Sequence, residues 1–103
     1  MLITQSVDGV PIRLTTERWG HICRRHPDMH GQQERVLETV RSPAELLEGD
    51  FGAKLAARFY RRTPLTSKFL VVAYKELSQT DGFVMTAYFA RRLPTWRQRL
   101  WKQ

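Results

Sequence analysis

His21 and His26 lie within Trp19-Gly-His-Ile-Cys-Arg-Arg-His-Pro27, a stretch that also carries Arg24 and Arg25. Two of the chain's three histidines therefore stand beside fixed cations. An imidazole with an ordinary pKa of roughly 6.5 can give or take a proton at neutral pH. Cleavage of RNA without a metal needs that ability. A base takes the proton of the 2′-hydroxyl, an acid protonates the leaving 5′-oxygen, and cations hold the charge on the phosphorus between them. His21 and His26 are the candidates for acid and base, and Arg25 with Arg58 or Lys75 for the cations. Thr86 and Tyr88, on alternate positions of a strand-like run, can position a phosphate oxygen.

Each of these residues has an alternative, structural role. On a helix Trp19, Ile22, Cys23 and His26 share one stripe, so His26 can equally be a helix-end histidine bonded to a carbonyl. His21 lies off that stripe, one turn from Arg25, which favours function. Thr86, Tyr88 and Arg58 are also ordinary residues of strands and their exposed faces. His30 falls in an expected loop and reads as solvated. Cys23-x2-His26-x3-His30 has the residue types of a metal site, but Pro27 and the lack of a fourth nearby ligand spoil the spacing for zinc. No metal and no cofactor is expected. Cys23 sits in the expected buried stripe and is a poor candidate nucleophile. The chain has no Gly-rich phosphate loop and no carboxylate pair suited to glycoside hydrolysis.

The 103 residues, 42% of them apolar, predict one globular domain over residues 1–103. The longest apolar run, Phe69 to Tyr74, is too short to cross a bilayer. Residues 1–16 carry Asp8 and Arg13 and lack the apolar stretch of a signal peptide. With Cys23 alone, no intrachain disulfide can form, and a reducing, cytoplasmic setting is expected. The net charge of +7 is unevenly placed. Residues 1–50 hold six Lys/Arg against eight Asp/Glu, whereas residues 51–103 hold eleven against two. Thirteen of the seventeen cations are Arg, the side chain suited to bidentate phosphate contact. Interleaved with Tyr60, Tyr88, Trp96 and Trp101, they have the composition of a nucleic-acid surface. A basic surface kept for solubility is the plainer alternative.

The elements that must hold these residues read as follows. Leu2 to Ser6 and Val10 to Leu14 form two strands about Asp8-Gly9, the second an edge because of Pro11. Thr15 caps a helix that runs to about His26 and ends at Pro27. A second helix covers Gln32 to Val40. Ser42-Pro43-Ala44-Glu45 has the signature of a further short helical turn through Leu47. The runs Ala53–Arg62, Lys68–Leu77 and Phe83–Arg91 alternate as an antiparallel meander. Leu55, Ala57 and Phe59 would then pack on the helices. The opposite face would expose Arg58, Tyr60, Thr86 and Tyr88 side by side. The tail with Trp96 and Leu100 suits a short amphipathic helix. The fold class expected is α+β, with N-terminal helices packed on one face of an antiparallel sheet of about four strands.

Several of these stretches together resemble a known family. Ile-Arg-Leu-Thr-x3-Trp-x-His-Ile-x3-His-Pro, Ser-Pro-x2-Leu-Leu-x-Gly, Leu-Val-Val-x-Tyr-Lys and Gly-Phe-Val-Met-Thr-Ala-Tyr-Phe are similar to motifs of small phage- and plasmid-associated domains. Those domains belong to the barnase–EndoU–colicin–RelE (BECR) superfamily, and the resemblance spans roughly residues 12–101. It implies the same α+β architecture and a toxin-like, metal-independent endoribonuclease. His21, His26, Thr86 and Tyr88 match best as catalytic positions, and Arg58 and Arg61 less closely as contacts to RNA. With Arg25, Tyr60, Lys75 and Arg91 they complete the expected nucleic-acid surface. RNA is the expected substrate, and an acidic antitoxin or immunity protein the expected partner. The alternatives are a nucleic-acid-binding module without catalysis and a basic component of a toxin–antitoxin-type complex.

Overall fold

The structure is a computed structural model that describes residues 1–66 and 68–103. It opens with a hairpin of β1 (Leu2–Gln5) and β2 (Pro11–Leu14), turned at Gly9, whose φ of 80° suits glycine. Helix α1 (Thr16–Arg25) follows, then a 3₁₀ turn at Pro27–Met29 and helix α2 (Gln33–Arg41). The rest is extended: β3 (Glu45–Glu48), β4 (Lys54–Phe59), β5 (Phe69–Ser78), β6 (Asp81–Ala90) and β7 (Arg99–Lys102). All seven strands join one sheet in the order β1-β2-β6-β5-β4-β3-β7. Every pair is antiparallel except β2 and β6, which run parallel and meet at Arg13 and Phe83.

This overturns the expectation of helices on an antiparallel sheet of about four strands. The sheet is mixed and seven-stranded, and among the described residues the α-helices are only two and short. Three local readings account for the difference. Ser42 ends α2 instead of starting a helix, and Leu46 and Leu47 are both buried, in separate clusters. Only an extended strand sends adjacent leucines to opposite faces of a sheet. The tail is likewise a strand, with Leu46 opposite Trp101 and Leu47 opposite Arg99. Finally, β2 lies between β1 and β6, with Pro11 at its first position, where the missing N–H costs little.

The two faces of the sheet carry different cores. One meets the helices, where Ile12, Leu14, Leu70, Val72, Tyr74 and Val84 pack with Ile22, Met29, Val36 and Val40. The other gathers Leu47, Leu55, Ala57, Val71 and Ala73 under Met85, Tyr88 and Leu93. The segregated charge of the sequence closes the fold. Lys54 pairs with Asp8, Arg58 with Glu38, Arg97 with Asp50 and Arg99 with Glu45, so carboxylates of the first half meet cations of the second. Four of the eleven cations of the second half are thereby matched by acids of the first.

No described helix is long and apolar enough to cross a membrane.

Candidate active site

Helix α1 is set by its ends. Thr15, with φ −76° and ψ 154°, accepts a hydrogen bond from the Arg18 N–H at 3.1 Å, and Glu17 lies in the first turn where the helix dipole favours an anion. At the other end the His26 N–H donates to the Ile22 carbonyl at 2.8 Å, and Pro27 turns the chain away. Ile22 and Cys23 are buried, which fixes the roll of the helix. Arg18, His21 and Arg25, spaced i, i+3 and i+7, then form one stripe beside the buried one. Burial pushes the Cys23 thiol up, so it stays protonated and is no nucleophile at neutral pH.

Strand β6 supplies the opposite wall. Its pairing with β5 shifts register between Ala73 and Tyr74: Ala73 faces Thr86, but Tyr74 faces Val84, leaving Met85 as the extra residue of a bulge. Because of that bulge, Val84 and Ala87 both point to the helix-side core, while Phe83, Met85, Thr86 and Tyr88 turn to the cavity. Beyond Phe83 the β6 edge has no strand neighbour among the described residues, and α1 lies there instead. An Arg18 guanidinium N–H reaches the Met85 carbonyl at 3.5 Å across this seam.

Between the two elements opens a cavity of about 560 Å³, lined by Arg18, His21, Arg25, His26, Phe83, Met85, Thr86 and Tyr88. His21 is exposed at it, whereas the half-buried His26 ring lies 5.9 Å from the Tyr88 ring at a 34° tilt. Burial pushes the Tyr88 phenol up, against an opposing pull from Arg97, so it remains a neutral hydroxyl donor at neutral pH. Arg18, Arg24 and Arg25 make no ion pair among the described residues, in contrast to Arg13, Lys54, Arg58, Arg97 and Arg99. A pocket with two imidazoles, two guanidiniums without carboxylate partners and two hydroxyls has the means to bind a phosphodiester and move protons on either side of it. Among the described residues no three His, Cys, Asp or Glu come together as a metal site.

The other residues singled out in the sequence lie elsewhere. Arg58 is on the helix side of β4, donating to the Ser42 carbonyl and pairing with Glu38 at 3.4 Å. Tyr60 donates to Glu38 Oε1 at 2.6 Å and packs on the helix-side core, with Arg35 stacked on its ring at 4.6 Å. The expected face with Arg58 and Tyr60 beside Thr86 and Tyr88 is therefore corrected: the two pairs lie on opposite sides of the sheet. Leu55 and Ala57, not Arg58, take the side that Tyr88 shares. The bulge at Met85 is the physical reason, since it shifts the alternation of β6 relative to β4. Lys75 is paired opposite Phe83 on the cavity side of the sheet but does not line the cavity. Arg61 and Arg91 are exposed outside it, and so is His30.

Three lining residues, Arg18, Phe83 and Met85, were not among the expected ones. The spacing of Arg18 from His21 and Arg25 carried a usable signal. The alternation of β6 carried none, because a bulge leaves no mark in a hydrophobic pattern. No protein-family model, curated protein or solved structure matches the chain.

Proposed function

We propose that the protein is a metal-independent endoribonuclease of toxin type, acting at the cavity between α1 and β6. The observation that carries the reading is that His21 and His26 share one cavity with Arg18, Arg25, Thr86 and Tyr88. One imidazole takes the proton of a ribose 2′-hydroxyl as its oxygen attacks the adjacent phosphorus. The other gives a proton to the 5′-oxygen as the P–O bond breaks, leaving a 2′,3′-cyclic phosphate. Arg18 and Arg25 hold the charge that builds on the non-bridging oxygens, and the Thr86 and Tyr88 hydroxyls orient them. Phe83 and Met85 offer an apolar wall to the ribose or base. The resemblance in the histidine and Thr-Ala-Tyr stretches points the same way, without drawing on the fold. Such an enzyme belongs in the cytoplasm, where an acidic antitoxin or immunity protein would cover the cavity.

The test is RNA incubated with the protein in EDTA. Wild type is expected to cut, and His21→Ala to cut about 10²–10⁴-fold more slowly while still binding RNA. Equal rates in the variant remove His21 from the chemistry. Intact RNA with wild type, together with binding that falls steeply with salt, leaves a nucleic-acid-binding module without catalysis.

A further inference from the structure

We propose that Phe51 and Trp96 form a stacking platform for unpaired nucleobases outside the cavity, so that its substrate is single-stranded RNA. The proposal rests on the ribonuclease reading for the identity of its ligand. These are the two most exposed large apolar side chains of the described residues, at 94% and 75%. Phe51 sits in the β3–β4 turn, closed by the Ala53 N–H donating to the Asp50 carbonyl at 3.0 Å. Its φ is 55° and that of Gly52 is 80°, the paired left-handed conformation that favours Asn-Gly. A phenylalanine there is strained and buries nothing, so the fold gains nothing from its ring.

Trp96 comes from the loop between β6 and β7. The Arg97 guanidinium lies 4.2 Å over its ring. Arg97 is fixed in turn by the Glu48 carbonyl at 3.1 Å and by both Asp50 oxygens at 3.2 and 3.3 Å. One arginine therefore clamps the tryptophan loop to the turn that carries Phe51. The same loop and the cavity share one apolar cluster, on which Leu93 packs from the loop and Met85 and Tyr88 from the cavity wall. A strand of RNA leaving the cavity past Tyr88 would run over this face toward the two rings.

The chemistry of the surface selects the occupant. Asp50 is neutralised by Arg97, the chain carries +7 overall, and an arginine-backed indole is a polarised flat surface. Those are the features on which unpaired bases stack; a duplex keeps its base faces hidden.

The experiment measures binding of 2′-O-methyl oligonucleotides, which have no free 2′-hydroxyl to attack with, to wild type, Trp96→Ala and Phe51→Asn. The second variant relieves the turn and is expected to raise the melting temperature, so folding is not in question. Both are expected to lose about tenfold or more in affinity for single strands of about twelve nucleotides and nothing for a dinucleotide or a duplex. Unchanged affinity for the long single strands in both variants overturns the platform and leaves the two rings to a protein partner. Weakened binding in the variants, with no cleavage of ordinary RNA by wild type, keeps the platform and removes the catalytic reading. Cleavage with unchanged affinities does the reverse.

Discussion

Tyr74→Phe should make the protein more stable. Tyr74 lies on β5, opposite Lys54 on one side and Val84 on the other, and is fully buried. Its hydroxyl has no hydrogen-bond partner among the described residues. A buried hydroxyl without a partner costs about 1–3 kcal/mol, whereas the ring contacts survive the change to phenylalanine. A net gain of about 1 kcal/mol is expected, equivalent to a rise of about 4–8 °C in melting temperature for a domain of this size. Burial first, then the nearby Glu76 and Asp8, pushes the Tyr74 phenol above its ordinary 10.0. The folded chain then keeps a proton that the unfolded chain releases, so wild-type stability falls as pH rises past 10.0. Tyr74→Phe should fall less steeply. Thermal and urea unfolding of both proteins at neutral and alkaline pH decide the matter. A loss of about 1 kcal/mol or more at neutral pH would refute the reasoning, because it would mean the hydroxyl has a partner inside the core.

Two other predictions concern the charges. The bond from Lys54 holds the Asp8 carboxyl below its ordinary 3.8, and Arg13 does the same for Asp81. Both contributions are present above that value and are lost as pH falls through the lower folded values, so urea midpoints should drop on the acid side of 3.8. Asp8→Asn should lower stability at neutral pH and flatten that acid limb; an unchanged limb would take Asp8 out of it. Arg58→Ala should leave RNA cleavage within about twofold, because the side chain is tied to Glu38 and Ser42 across the sheet. Arg25→Ala should slow cleavage by about 10². Equal losses in the two variants would contradict the placement of the site.

Much of the local structure was legible because it depends on neighbours in sequence. The Asp8-Gly9 hairpin, the Thr15 cap with its Pro27 stop, the helix over Val36 and Val40, and the meander from Ala53 to Ala90 are all written in turns, caps and periods. What failed depends on distant partners. Ser42-Pro43-Ala44-Glu45 reads as a helix start until Leu46 and Leu47 are each given a separate core to fill. The Arg99–Lys102 strand exists because β3 offers it an edge, and nothing in Trp96 or Leu100 announces that. The same holds for the site. Helical spacing put His21 near Arg25, and the same spacing reaches back to Arg18, which was not among the expected residues. The single-residue bulge at Met85 instead decided that Thr86 and Tyr88 take the side of the sheet opposite Arg58 and Tyr60, facing the cavity at the β6 edge. Charge was the least transparent: the excess in residues 51–103 suggested an RNA surface, yet Lys54, Arg58, Arg97 and Arg99 answer acids of the first half. The guanidiniums left without carboxylates at the cavity are Arg18 and Arg25, from the half with the acidic balance.

The most direct measurement is the chemistry of the cut ends after the protein has acted on RNA in EDTA. Acid–base catalysis by two imidazoles predicts 2′,3′-cyclic phosphate on one fragment and a free 5′-hydroxyl on the other. Fragments ending in 3′-hydroxyl and 5′-phosphate, or cleavage restored only by added metal, would contradict it.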